Sequence, residues 1–445
     1  MTNQANQANQ IKVQKLAGFR DYFAEDVKVR EYVINIFKKV FEKYGYEPLE
    51  TPALENSNIF VGELGDEAEK LFYKFKDNGG RDVMLKYDVM TPMCRVVAEN
   101  INNIIFPYKR YQIQSVWRSE KPQKGRFREF TQCDADTIGS SSVICDAEFI
   151  QMGIEALTNI GFKEFRANIN NRKLLSGIIQ FAGATEKEFI LICISIDKLP
   201  KIGRDNVKKE LIEKRKISSE VAEKILDVIT LTGETNELLE KLKKQLNNIP
   251  IAMEAIDELE TIFNYFKTIK LNEKFYRFTP FIARGLAYYT GPVWEFEILE
   301  GEVGSVAGCG RYDNIIGKFA GREIAATGGS FGIERLVEVI KSRKMINFSA
   351  NSAKSLVTVF NTDLFNDSLI IADNLRKNNI STILYPVPTE KLDKQLKYAN
   401  KKNIPYVIII GPEEVANKNV VLKDMRTGEQ QKLNIEEVIK LLSND

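Results

Sequence analysis

Residues 110–139, RYQIQSVWRSEKPQKGRFREFTQCDADTIG, constrain this chain more than any other stretch. Tyr111, Ile113, Ser115 and Trp117 alternate with Gln112, Gln114, Val116 and Arg118, the two-residue period of an extended strand. Pro122-Gln123-Lys124-Gly125 supplies turn chemistry, and the extended pattern resumes over 127–137. The expectation is two strands joined by a tight basic loop. Residues two apart on a strand share a face, so Arg126, Arg128, Phe130, Gln132, Asp134 and Asp136 fall along one side. Such a side could grip a phosphate, stack a flat base and hydrogen-bond a small polar ligand. A solvated edge hairpin would have the same composition, which leaves the two readings even.

A chain of 445 residues is long for one core and implies two or three domains. Its net charge is +2, so any nucleic-acid contact must come from local basic patches. No histidine is present, which removes imidazole bases and histidine-ligated metals. Five cysteines (Cys94, Cys133, Cys145, Cys193, Cys309) are scattered without a C-x-x-C pair, as expected of reduced thiols in a cytoplasmic protein. No metal site built from protein side chains is expected. What remains for chemistry is carboxylates, arginines, backbone amides and a weakly bound hard cation. Residues 1–10 form a polar Asn/Gln repeat, read as a disordered tail that is neither signal peptide nor membrane span.

Along the chain, Asp26 is the expected N-cap of a helix carrying Val29, Val33, Ile36, Phe37, Val40, Phe41 and Tyr44, with Gly45 ending it. After residue 165 the pattern changes. Asn170-Asn171 opens a helix, 192–196 reads as a strand, and 208–244 as lysine- and glutamate-rich helices. Gly328-Gly329-Ser330-Phe331-Gly332 precedes a helix over 333–340, with the wrong spacing for a dinucleotide-binding turn. After a polar linker, strands at 356–360, 382–385 and 406–410 alternate with helices at 368–378 and 391–402, implying a small α/β domain with a mostly parallel sheet. Lys391, Lys394, Lys397, Lys401 and Lys402 give that domain a basic patch.

The hairpin string resembles motif 2 of the class II aminoacyl-tRNA synthetases, specifically the histidyl-tRNA synthetases. Three further stretches follow in the family's order. Arg284-Gly285-Leu286-Ala287-Tyr288-Tyr289-Thr290-Gly291 and Gly308-Cys309-Gly310-Arg311-Tyr312-Asp313 resemble its two histidine motifs. Gly328-Gly329-Ser330-Phe331-Gly332-Ile333-Glu334-Arg335-Leu336 resembles motif 3.

The resemblance implies a multi-domain α/β protein: a class II catalytic domain with an antiparallel sheet flanked by helices, a helical insertion, and a C-terminal α/β anticodon-binding domain. It divides the chain into catalytic segments at 11–184 and 272–345, an insertion at 185–271, a linker at 346–354 and the last domain at 355–445. It implies activation of histidine by ATP with Mg²⁺, transfer to the 3′ end of tRNA(His), and a homodimer joined through the helix at 26–44 and the strand after it. A ligand carboxylate serves as nucleophile in such chemistry, so no histidine base is needed.

Site roles come from the same resemblance. Arg118 would hold the α-phosphate and the substrate carboxylate, its planar fork suiting phosphate. Glu120 would meet the adenine amino group, Arg126 the outer phosphates, Phe130 and Arg335 the two faces of adenine. Asp88 would take the ammonium of histidine, and Gln132, Asp136, Tyr289 and Tyr312 would surround the rest of it. Arg284 would touch both histidine and the α-phosphate, replacing a metal during adenylation. Residues 121–125 would reach the tRNA acceptor end. Met90, Phe127 and Ala287 depart from the family pattern, where threonine, tyrosine and aspartate are common. The competing expectation is a catalytically silent regulatory or RNA-binding relative on the same fold.

Overall fold

The computed structural model describes residues 13–60, 69–121, 127–283, 288–299, 304–346 and 351–444. Eleven of its strands belong to the larger of two compact units, which contains Arg30–Ile346. In chain order they are β1 (Glu47–Pro48), β2 (Leu54–Asn56), β3 (Lys74–Lys76), β4 (Asp82–Leu85), β5 (Tyr108–Trp117), β6 (Glu129–Ile138), β7 (Phe165–Asn171), β8 (Tyr276–Phe278), β9 (Pro292–Ile298), β10 (Ser305–Arg311) and β11 (Ala326–Gly332). The expected hairpin strands are β5 and β6, paired antiparallel from Tyr108↔Ile138 to Trp117↔Glu129. Their connection, residues 122–126, lies outside the described residues.

The hairpin is central rather than an edge, because β6 also pairs with β11. The eight-stranded order is β1-β5-β6-β11-β10-β9-β7-β8, antiparallel from β5 to β7 and parallel at both ends. Strands β2, β4 and β3 form a separate small sheet.

Alternation on β6 explains which side faces the core. Thr131, Cys133, Ala135 and Thr137 are buried on the side opposite Phe130, Gln132, Asp134 and Asp136. Helices cover that apolar side. Phe37 of helix Ala24–Lys43 lies 4.6 Å from the Phe331 ring, and Phe149 of helix Ile144–Ile160 lies 5.6 Å from Trp294. The first of these helices begins at Ala24, so Asp26 sits in its first turn rather than at its N-cap. Gly45, at φ +79°, follows its end as expected.

Helices dominate residues 172–268. Asn171 caps the first, accepting from the Lys173 N–H at 2.9 Å. Residues 192–196 belong to helix Glu186–Ile196 and not to a strand. Its β-branched residues look strand-like, but Phe189, Ile192, Cys193 and Ile196 are buried at spacings of three and four, and a Thr185/Glu188 capping box starts it.

The smaller unit contains Asn347–Asp445. Its sheet, in the order β13-β12-β14-β15-β16, uses β12 (Ser355–Val357), β13 (Thr382–Leu384), β14 (Tyr406–Ile409), β15 (Val420–Asp424) and β16 (Gln430–Leu433). The first three strands are parallel, as the alternation implied. The hairpin β15–β16 makes the other half antiparallel, so the sheet is mixed. In the lysine patch, Lys394 pairs with Glu390 at 2.9 Å and Lys397 with Asp393 at 2.8 Å, on a solvated helix face.

Candidate active site

The polar face of β6 deepens along the strand. Phe130 and Gln132 are half-buried, whereas Asp134 and Asp136 are 6% and 4% exposed. Register sets what stands across from each on β5: Gln114 opposite Gln132, Gln112 opposite Asp134, Arg110 opposite Asp136. Arg110 is fully buried, and its Nη2 lies 2.6 Å from Asp136 Oδ2. Tyr312 donates to the other carboxylate oxygen, Oδ1. Burial tends to lower the Arg110 pKa, but Asp136, Tyr312, Asp134 and Cys94 together offset this and hold the guanidinium above its ordinary value. Burial raises Asp136, with Arg110 opposing.

Next along β5, the two amide hydrogens of Gln112 go to Thr51 Oγ1 at 2.8 Å and Gln114 Oε1 at 2.6 Å, while its oxygen accepts from Arg110 at 3.2 Å. Buried Lys86 ends this chain by donating to Gln114 and to the Thr51 carbonyl, and burial pushes its ammonium down to about 8.

At the shallow end, the Trp117 N–H donates to the Lys86 carbonyl at 3.0 Å, which draws residues 86–88 beside the strand. Arg118 then lies with its guanidinium 4.2 Å from the Tyr87 ring and 5.1 Å from the Phe130 ring, its Nε donating to the Tyr87 carbonyl at 3.1 Å. Gln132 accepts from the Val89 N–H at 3.2 Å and donates to Ser330 Oγ at 3.3 Å. Asp88 is buried and accepts from the Thr91 N–H at 2.8 Å. Thr91 therefore holds the carboxylate that Asp88 offers. Burial raises the Asp88 pKa, opposed by the Thr91 bond and Arg118.

Gly310, Gly328 and Gly329 make room for atoms of neighbouring residues. A methyl at Gly328 would collide with the Asp136 carboxylate and the Ala135 carbonyl, and one at Gly329 with Cys309. A methyl at Gly310 would stand 2.7 Å from the Tyr289 ring. Tyr289 is buried, with its ring 4.6 Å from Tyr288, and Tyr288 stands edge-on to Tyr312 at 6.1 Å.

Arg335 lies in the first turn of helix Ile333–Ser342, its Nη1 donating to the Ser305 carbonyl. Glu334 docks that helix on β6: its carboxylate accepts from the Thr131 N–H at 3.1 Å and pairs with Arg30 at 2.7 Å. Glu120 is half-buried just past Arg118. Phe127 lies under the Arg20 guanidinium at 4.0 Å. Arg126, Arg284 and Ala287 fall outside the described residues.

Asp88, Arg118, Phe130, Gln132, Asp136 and Tyr312 are thus linked around one corner of the sheet. Sequence reasoning placed Asp134 on the polar face without giving it a role, and gave no role to Arg110 or Glu334. Counting outward from the turn would have found Arg110, since Arg110 and Asp136 are equally far from Gln123. No local signal marked Glu334, whose partners are distant in the chain.

An antiparallel sheet covered by helices on one face, with arginines, an aromatic ring and buried acids on the other, is the catalytic domain of an aminoacyl-tRNA synthetase of the class II type. A family model described as histidyl-tRNA synthetase matches residues 18–336, and one described as anticodon binding domain matches 354–445. The histidine–tRNA ligase of Cytophaga hutchinsonii is 38% identical over 96% of this chain and 98% of its own length. That of Clostridium tetani is 36% identical over 98% and 99%. The crystal structure of histidyl-tRNA synthetase from Nostoc sp. PCC 7120 superposes with a TM-score of 0.86 at 29% identity, covering 98% of this chain and all of that one. The chain belongs to the histidyl-tRNA synthetase family.

Proposed function

We propose that this chain is a histidine–tRNA ligase in which the corner formed by Arg118, Phe130, Gln132 and Asp136 is where histidine meets ATP. The observation carrying this reading is the row on β6 beside Arg118, which follows β5: a ring for the base, an arginine over it for phosphate, and acids beyond for the amino acid. Histidine's carboxylate oxygen attacks the α-phosphorus of ATP, the bond to the bridging oxygen breaks, and pyrophosphate leaves. A terminal hydroxyl of tRNA(His) then attacks the adenylate carbonyl and AMP departs.

Arg118 holds α-phosphate and carboxylate oxygens against each other, favouring the charge that builds in the transition state. Phe130 and Arg335 enclose adenine, with Glu120 at its amino group. Asp88 takes the ammonium; Gln132, Asp136, Tyr289 and Tyr312 enclose the side chain. A neutral imidazole offers one donor and one acceptor, so a pocket satisfying both leaves groups unpaired against most competitors. Arg126 and Arg284 keep the phosphate roles that the family resemblance gives them. Mg²⁺ enters on the phosphate oxygens of the ATP substrate, hard ligands suited to it. The helices of 185–271 and residues 355–445 serve tRNA. The reading includes a cytoplasmic homodimer; no helix among the described residues is long and apolar enough to cross a membrane.

The test is histidine-dependent ATP–pyrophosphate exchange followed by tRNA(His) charging. Arg118→Ala is expected to lower the exchange kcat/KM about 100- to 1,000-fold, the scale of losing one preorganised transition-state donor. Histidine binding without exchange in the unaltered protein would instead favour a regulatory relative.

A further inference from the structure

Among the described residues, Asp134 differs from Asp136 in having no ion pair of its own. Asp136 has Arg110 across the strand and Tyr312 on its second oxygen. Asp134 faces Gln112, whose two amide hydrogens are committed to Thr51 and Gln114. Across β6 on the other side stands Ser330, whose hydroxyl is its one side-chain partner among the described residues. Its Oδ1 is buried and has no hydrogen-bond partner there. An orphan acceptor in a buried site is costly, and in a ligand pocket a bound donor relieves that cost.

We propose that Asp134 is a further recognition residue of the histidine pocket: its free Oδ1 accepts a hydrogen bond from an N–H of the bound amino acid, and the proton the carboxyl carries in the empty pocket is released to solvent on binding. This rests on the site being a histidine pocket. The charged and titratable groups around Asp134 are Asp136 on its own strand, Arg110 on β5, and Asp88 on the segment beside β5; Ser330 faces it from β11. Burial and Asp136 push its carboxyl up to about 8. A hydrogen bond donated by the ligand favours the charged form and outweighs both effects, so the O–H bond breaks, the proton leaves, and the carboxylate accepts from the ligand.

The experiment is calorimetry of the full-length protein with histidine at pH 7 in two buffers of different ionisation enthalpy. The unaltered protein is expected to release about one proton per histidine bound. Asp134→Asn is expected to release almost none, to weaken histidine binding about 10- to 100-fold, and to leave the KM for ATP in pyrophosphate exchange unchanged. The des-amino analogue, 3-(imidazol-4-yl)propanoate, separates the two possible donors. Equal weakening for both ligands places Asp134 on the imidazole, and weakening for histidine alone places it on the ammonium; either supports the proposal. Histidine binding by the unaltered protein without proton release overturns it, whether or not the variant folds. A variant matching the unaltered protein in affinity also overturns it. An unaltered protein that neither binds histidine nor exchanges pyrophosphate would instead refute the ligase reading.

Discussion

Asp134 and Asp136 stand two residues apart on β6, and their different surroundings come from single residues on β5. An arginine opposite one and a glutamine opposite the other decide which charge is compensated. This has a consequence for stability. The Asp134 carboxyl is lifted from 3.8 to about 8 by burial, so the folded state binds that proton more tightly than the unfolded chain does. A raised carboxyl favours folding fully below about pH 4, and that advantage is lost as pH rises through about 8. Asp134→Asn cannot lose it. In urea unfolding at pH 5, 7 and 9, the variant's stability relative to the unaltered protein is therefore expected to increase with pH. A pH-independent difference would mean that burial does not shift this carboxyl. The polar row containing Asp134 was legible from the two-residue period of 127–137. Its lack of a counter-charge was not, because that depends on the register with β5.

At the scale of elements, β11 offers hydrogen at Gly328 where β6 offers the Asp136 side chain. The Asp136 carboxylate occupies the space beside Gly328, so Gly328→Ala should displace it and destabilise the protein by about 1–3 kcal/mol, with loss of histidine affinity. Gly332→Ala serves as the contrast. Its nearest neighbour is the flexible Arg335 side chain at 3.5 Å, and the change should be nearly neutral in denaturant titration. Equal losses at both positions would contradict the steric account. The glycine run was visible in the sequence, but its purpose was not, since the atoms that need the space belong to other strands. Helix Glu186–Ile196 teaches the complementary point: its burial spacing of three and four outweighed the strand-like composition of its apolar run.

For the whole molecule, the two compact units predict separable activities. A chain ending at residue 346 is expected to keep histidine-dependent pyrophosphate exchange while charging tRNA(His) about 100-fold more slowly, the scale on which a tethered second binding module raises effective concentration. Exchange falling as steeply as charging would place the last unit inside the activation step. The sequence by itself determined the family, the β5–β6 strand pair, the face that carries polar groups, and the parallel half of the second sheet. Each follows from local periodicity or from residue strings that short-range chemistry requires. Only the tertiary structure decided that Arg110 neutralises Asp136, that Gln112 cannot serve Asp134, and that Glu334 fixes the helix bearing Arg335 against β6. Those pairings join residues far apart in the chain, and a buried charge is governed by whatever the fold places within a few ångströms of it.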